Sequence, residues 1–204
     1  MSRHFAAITY TTSVRACQRR YGGRELGEMP GEQPDNAVAE LSRRECEFIA
    51  ARDSFYLSTV SESGWPHVQH RGGPAGFLRV LDATTLAFAD YSGNRQYVSV
   101  GNLAANDRAA LILMDYPNQR RLKILGHVEV IDMAAATIEA TAGPAVDAEL
   151  LAKMQPLGRE VERILLIRVA AFDWNCSRHI TPRFTASEWQ SLDYSPTETS
   201  TTKE

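Results

Sequence analysis

No uninterrupted apolar run in this chain is longer than Ala109–Met114, far short of the roughly 18 residues that a membrane-crossing helix needs. A spanning helix and a membrane partner are therefore not expected. Cysteine is scarce, and Cys17, Cys46 and Cys176 stand far apart, without the CxxC spacing of a zinc site or a redox motif. That argues for no metal and for a reducing, cytoplasmic setting. An excess of positive charge is missing as well: the formal net charge is −3, so the molecule lacks the field on which nonspecific nucleic-acid binding depends, and no nucleic-acid partner is expected. Compositional bias is absent, with 44% apolar and 23% charged residues among 204, which excludes a fibre or a wholly disordered chain and leaves room for one large core.

Acid is missing from the beginning of the chain. Arg3, Arg15, Arg19, Arg20 and Arg24 precede the first carboxylate, Glu25, yet their apolar neighbours never gather into the core of a signal peptide. An ordered basic arm is the simplest reading. Residues 22–36 are dense in Gly, Pro and acids, a loop composition. The expected division is thus an arm and loop over 1–36, a folded domain over 37–186, and a polar tail over 187–204 that cannot offset its ordering entropy.

Within the domain, Ser42 followed by Glu45 forms a capping box, predicting a short helix to about Arg52 that buries Phe48 and Ile49. The period then becomes strand-like. Strands are expected at Phe55–Val60, His67–Arg71, Phe77–Leu81, Thr85–Asp90, Ala109–Asp115, Arg121–Ile131 and, after one or two short helices within 133–157, Arg163–Phe172. Short turns such as Asp82-Ala83-Thr84 join antiparallel neighbours. Val98, Val100, Leu103 and Ala104 place a helix within 96–106, across a barrel end. The fold class is mainly β with helices (α+β): a six-stranded antiparallel split β-barrel.

Four segments carry chemistry. In Ala89–Asp107, a strand ending at Asp90 runs through Ser-Gly into Asn94, Arg95 and Gln96 and then into a helix, so polar side chains and free amides meet at a helix N-terminus, a setting that suits a phosphate. In the second strand His67, Gln69 and Arg71 share one face, while Val68 and His70 share the other. The two histidines are therefore not co-facial, and Gly72-Gly73-Pro74 lets a ligand approach the backbone. Arg121 and Lys123 share one face of the sixth strand, opposite Leu122 and Ile124. Finally, Trp174, Asn175, His179 and Arg183 lie in the segment that leaves the last strand. Cys176 beside His179 lacks an orienting carboxylate, and no catalytic acid, base or nucleophile can be assigned.

Taken in order, the strand ending in SESGWP, the Arg-bearing second strand, FADYSGNRQ, NDRAALILMDY and RRLKILGHVEVI resemble the FMN-binding split β-barrel of the pyridoxamine 5′-phosphate oxidase superfamily over about Leu41–Arg183. The resemblance implies FMN as cofactor. It makes Arg71, with His70 and Gly72 beside it, the phosphate contact of the second strand, and Asp90, Asn94, Arg95 and Gln96 the phosphate turn. Gln96 replaces a common Lys, for which Lys123 or a backbone amide would compensate. Arg121 stands where the family has a Gln near the flavin ring. Trp174, Asn175 and Arg183 would face the flavin of a second subunit, implying a homodimer with the flavin at the interface. The Arg-Leu-His closure of the B6 oxidases is missing after Glu188-Trp189-Gln190, so oxidation of pyridoxamine 5′-phosphate is not expected. The implied function is an oxidoreductase passing hydride or electrons through FMN from a small-molecule or nicotinamide donor. The alternative is a flavin, deazaflavin or haem binding protein without turnover.

Overall fold

The computed structural model describes residues 3–22, 38–136, 154 and 160–192. The basic arm forms two short helices, α1 (Arg3–Thr9) and α2 (Thr12–Arg20), the latter capped by the Thr11 side chain, which accepts from the Val14 amide. Helix α3 (Arg43–Ala50) starts at the expected capping box: Ser42 N–H donates to Glu45 Oε2 at 3.0 Å, and Phe48 and Ile49 are buried. The Gly/Pro/acid-rich stretch expected as a loop lies mostly outside the described residues, as does most of 133–157, of which helix α5 (Met133–Ala136) is described.

The strands are β1 (Ser54–Val60), β2 (Pro66–Gly72), β3 (Arg79–Val80), β4 (Thr85–Tyr91), β5 (Arg108–Asp115), β6 (Arg120–Asp132) and β7 (Val161–Trp174), with α4 (Val98–Ala105) between β4 and β5. They form one antiparallel sheet in the order β2-β1-β5-β6-β7-β4-β3. The split-barrel class is as expected, but the sheet has seven strands rather than six, and its order does not close. The expected strand at Phe77–Leu81 shrinks to Arg79–Val80. Gly76, at φ +79°, and the Phe77 N–H bonded to Pro74 O turn the chain there instead. A helix, α6 (Ala186–Ser191), lies across the boundary expected at residue 186, because Thr185 and Glu188 form a second capping box.

Alternation along the strands builds the core. Phe55, Leu57, Phe88, Leu111, Leu113, Leu122, Ile124, Leu165 and Ile167 are all buried on the inner face. The outer face of β7 is covered partly by α1, whose Phe5 and Ala6 are buried, and a second cluster joins Ala87, Met154, Val161, Ile164 and Leu166. The long strands β6 and β7 bend at a register shift between Leu125 and Gly126. A Cβ on Gly126 would lie 2.6 Å from Arg168 O and 2.8 Å from Ile167 Cγ2, so this position accepts only glycine without backbone movement. Gly126→Ala should therefore cost about 1–3 kcal/mol. Gly101→Ala, within α4 and with nothing inside 4 Å, should gain about 0.5–1 kcal/mol. Urea unfolding of the two variants beside the parent measures both, and opposite signs are expected.

Candidate functional site

Three strand ends and one helix start meet around a cleft of about 310 Å³. Strand β2 contributes His67, Gln69 and Arg71 because these positions share the phase of the inner face, opposite Leu57 and Phe55 in β1. Val68 and His70 turn outward, as the alternation predicts. Asp90 follows Leu86 and Phe88 on the inner face of β4, and Arg163 precedes Leu165 and Ile167 on that of β7. The two are direct partners in the register.

Asp90 is buried and bridges two guanidinium groups: Arg71 Nη1 donates to Oδ1 at 2.7 Å and Arg163 Nε to Oδ2 at 2.9 Å. Arg163 Nη2 also donates to Glu162 Oε2 at 2.5 Å, and its guanidinium lies 4.8 Å from the Tyr97 ring centroid. Burial alone would lower the pKa of Arg163, but its bonds to Asp90 and Glu162 outweigh that and hold it above the ordinary value. Arg71 lies over the Phe88 ring, and its Nε is buried without a hydrogen-bond partner.

The rim is the turn before α4. Asn94, Arg95 and Gln96 are exposed there, and Asn94 Oδ1 accepts from Gln96 N–H at 3.2 Å. Arg95 and Tyr97 both adopt left-handed backbone, φ 59° and 52°, a conformation that costs non-glycine residues energy. Tyr97 precedes α4 without a side-chain cap, and Val98, Ser99 and Val100 line the cleft. The helix is anchored by Ser99 Oγ donating to Gln69 Oε1 and by Asn102 Nδ2 donating to Thr59 Oγ1, both at 3.0 Å. An uncapped helix start, three arginines and one unpartnered buried N–H suit an anion with several acceptor oxygens. The residues therefore fit the phosphate end of a flavin nucleotide.

The structure thus gathers Arg71, Asp90, Asn94, Arg95 and Gln96. The remaining expected residues lie elsewhere. Gly72, at the end of β2, is pressed against the His70 imidazole: a Cβ there would lie 3.0 Å from His70 Cε1. His70 is exposed on the outer face, edge-on to Tyr56 at 5.5 Å. Arg121 and Lys123 share that outer face of β6, so Lys123 does not compensate at this cleft. It pairs with Asp173 at 3.8 Å beneath the Phe5 ring, 4.3 Å away.

Trp174 packs edge-on against Phe48 at 4.7 Å, between the guanidinium groups of Arg44 and Arg120, and its indole N–H donates to Glu45 Oε1 at 2.6 Å. Asn175 N–H donates to Arg121 O at 3.4 Å while its Oδ1 is buried without a partner. Arg183 lies 5.0 Å from the Tyr116 ring. Within one chain none of these seven reaches the cleft. Sequence reasoning missed Arg163 and Tyr97. The available signal was a cation in phase with Leu165 and Ile167, the kind of residue that reaches the inner face only with a partner.

A family model described as pyridoxamine 5′-phosphate oxidase matches residues 42–173, from the α3 cap to the end of β7. The chain belongs to the pyridoxamine 5′-phosphate oxidase family. No curated protein matches the sequence. Among solved structures, a variant of HupZ from Group A Streptococcus shares the fold at a TM-score of 0.50 and 15% identity, covering 66% of this chain and 99% of that one. A Clostridium acetobutylicum protein related to general stress protein 26 is 17% identical over 70% of this chain and 92% of its own, TM-score 0.42. An FAD-binding protein of Mesorhizobium loti is 15% identical over 67% and 96%, TM-score 0.43. The family match ends before the segment in which the B6-oxidase closure is missing.

Trp174 and Glu45 also set an acid limit on stability. Burial pushes the Glu45 pKa up, but bonds from the Ser42 hydroxyl, the Trp174 indole and the Ser42 amide outweigh it and hold the carboxyl below its ordinary value. A lowered folded-state pKa contributes stability above the unfolded value, and this is lost as pH falls through the folded one. Glu45→Gln should cost about 1–3 kcal/mol at neutral pH, and the gap from the parent should narrow below about pH 4. Chemical unfolding at both pH values checks it.

Proposed function

We propose that this protein is an FMN-dependent oxidoreductase. Its flavin phosphate would sit in the cleft against Arg71, the Asn94-Arg95-Gln96 turn and the first turn of α4. The observation that carries the reading is the concentration of anion-binding groups at one cleft: the buried, unpartnered Arg71 Nε, the exposed Arg95 at its rim and a helix start with no side-chain cap. A bound FMN supplies hydride and electron transfer at its ring. The protein's contribution is to hold the phosphate and so fix where the ring lies. The electron donor on this reading is a nicotinamide or another small molecule. B6 phosphates are poor substrates on this reading, since residues 192–204 contain no Arg-Leu-His stretch.

A homodimer belongs to the same reading. Tyr56, Val68 and Trp65 are exposed on or beside the outer face of β1 and β2, at 39%, 62% and 75%, and His70 is exposed with them. Apolar side chains grouped in this way favour a covering surface. A second copy would supply it and place outer-face residues such as His70 and Arg121 beside the ring. Asn175 and Arg183, in the segment after β7, would reach across.

The test is titration of the purified protein with FMN, FAD and riboflavin, followed by flavin fluorescence, and sedimentation with and without FMN. Expected are yellow protein, FMN bound more tightly than either competitor, a dimer stabilised by FMN, and about a tenfold or greater loss of FMN affinity in Arg95→Ala, the scale of a charge-assisted hydrogen bond. Equal affinity for FMN and riboflavin would remove the phosphate site, and a monomeric holo-protein would remove the dimer. Anaerobic bleaching by NADH or NADPH then separates an enzyme from a carrier.

A further inference from the structure

The cleft contains a third guanidinium that neither the family pattern nor the turn accounts for. We infer that Arg163 of β7 is a direct phosphate ligand, supplying the cation that Gln96 does not, and that Asp90 is the positioning residue that holds Arg163 and Arg71 at a fixed separation. The inference rests on the reading of the cleft as a flavin phosphate site.

The geometry carries it. Arg163 comes from the far side of the cleft relative to Arg71, and its side chain is 12% exposed, so it is part of the wall and not a mobile surface cation. Asp90 binds Arg71 through Nη1 and Arg163 through Nε. Glu162 accepts from Arg163 Nη2. That leaves the Nη1 donors of Arg163 and the Nη2 donors of Arg71 outside these bonds, and both residues line the cleft. A guanidinium has five N–H donors in a rigid plane, so fixing one edge fixes the direction of the rest. One carboxylate shared between two guanidiniums therefore sets two donor edges relative to each other, as a tetrahedral anion with several acceptor oxygens requires. The Tyr97 ring, 4.8 Å from the Arg163 guanidinium, covers a further side of it.

Riboflavin is the informative probe, because it is FMN without the phosphate. The dissociation constants of FMN and riboflavin are measured by fluorescence quenching for the parent, Arg163→Ala, Arg163→Lys and Asp90→Asn, each with its thermal midpoint. Arg163→Ala should weaken FMN by about 10- to 100-fold and leave riboflavin unchanged. Arg163→Lys, which keeps the charge but lacks the planar fork, should fall between. Asp90→Asn removes a negative charge yet should also weaken FMN selectively, because an NH2 donor then replaces one of the two oxygens that accept separately from the two arginines.

An unchanged ratio of riboflavin to FMN constants in both Arg163 variants overturns the assignment, and tighter FMN binding in Asp90→Asn overturns the positioning role. If Arg163→Ala fails to fold, Arg163→Lys decides by the same ratio. A parent protein that does not prefer FMN to riboflavin defeats the phosphate reading, and with it this inference. A parent preference that survives both Arg163 substitutions defeats the inference alone.

Discussion

The sheet ends on β2 at one side and on β4 and β3 at the other, and among the described residues no backbone ladder joins the two sides. Beyond the Phe55–Phe88 ring contact, their polar link is Asp90. Its carboxylate takes a proton donor from β2 and another from β7, across the mouth of the curled sheet. The position of α4 follows from the same closure, since Ser99 reaches Gln69 on β2 and Asn102 reaches Thr59 on β1. Such a buried triad is not evidence of high stability, because desolvating three charges opposes their attraction, and well-packed apolar residues often do as well. Its value lies in direction: an apolar closure could be as stable, but it would not leave guanidinium edges at the mouth of a cleft.

Local rules made much of this legible. The Ser42–Glu45 cap, the two-residue period of β2 and the opposite faces of Arg121 and Leu122 each depend on a few neighbouring residues, and each is found as expected. A strand and a helix start each impose their own geometry, but it was the resemblance to the split-barrel family that placed Arg71 and the Asn94-Arg95-Gln96 turn in one site. Arg163 could not be placed there. Its partner Asp90 is 73 residues away in sequence, and no period within β7 tells whether a cation in the inner phase meets a carboxylate or marks the end of the buried run. The intrachain partner of Trp174 was hidden for the same reason: Glu45 lies 129 residues away, and within one chain the indole ties β7 to α3.

The arm shows a different limit. Seven residues of α1 contain too few apolar positions to declare a buried face, and isolated helices of that length are not stable in water. Its apolar side is defined by β7, which gives Phe5 and Ala6 a surface to cover. That contact changes the meaning of Lys123, which on a bare strand face would be a solvated cation. Beneath the Phe5 ring and beside Asp173 it is partly withdrawn from water, where a cation gains from both the ring face and the carboxylate. The α1 part of the arm therefore belongs to the packing of β6 and β7.

Asp90 looks out of place in a cleft proposed to hold a phosphate until the folding of the chain is considered. In the lining Arg71, Arg95 and Arg163 are opposed by Asp90, and Glu162, outside the lining, pairs with Arg163, so one positive charge is left in excess. Removing the carboxylates would raise the attraction for a phosphate. It would also leave two mostly buried guanidiniums facing each other without a counter-ion before any ligand arrives, and an uncompensated buried charge typically costs about 3–5 kcal/mol, a large part of the stability of a domain. A chain must fold before it can bind. Asp90 is the counter-ion of Arg71 and Arg163 within the fold, and on the proposed reading some affinity is given up to repulsion in exchange for donors already in place.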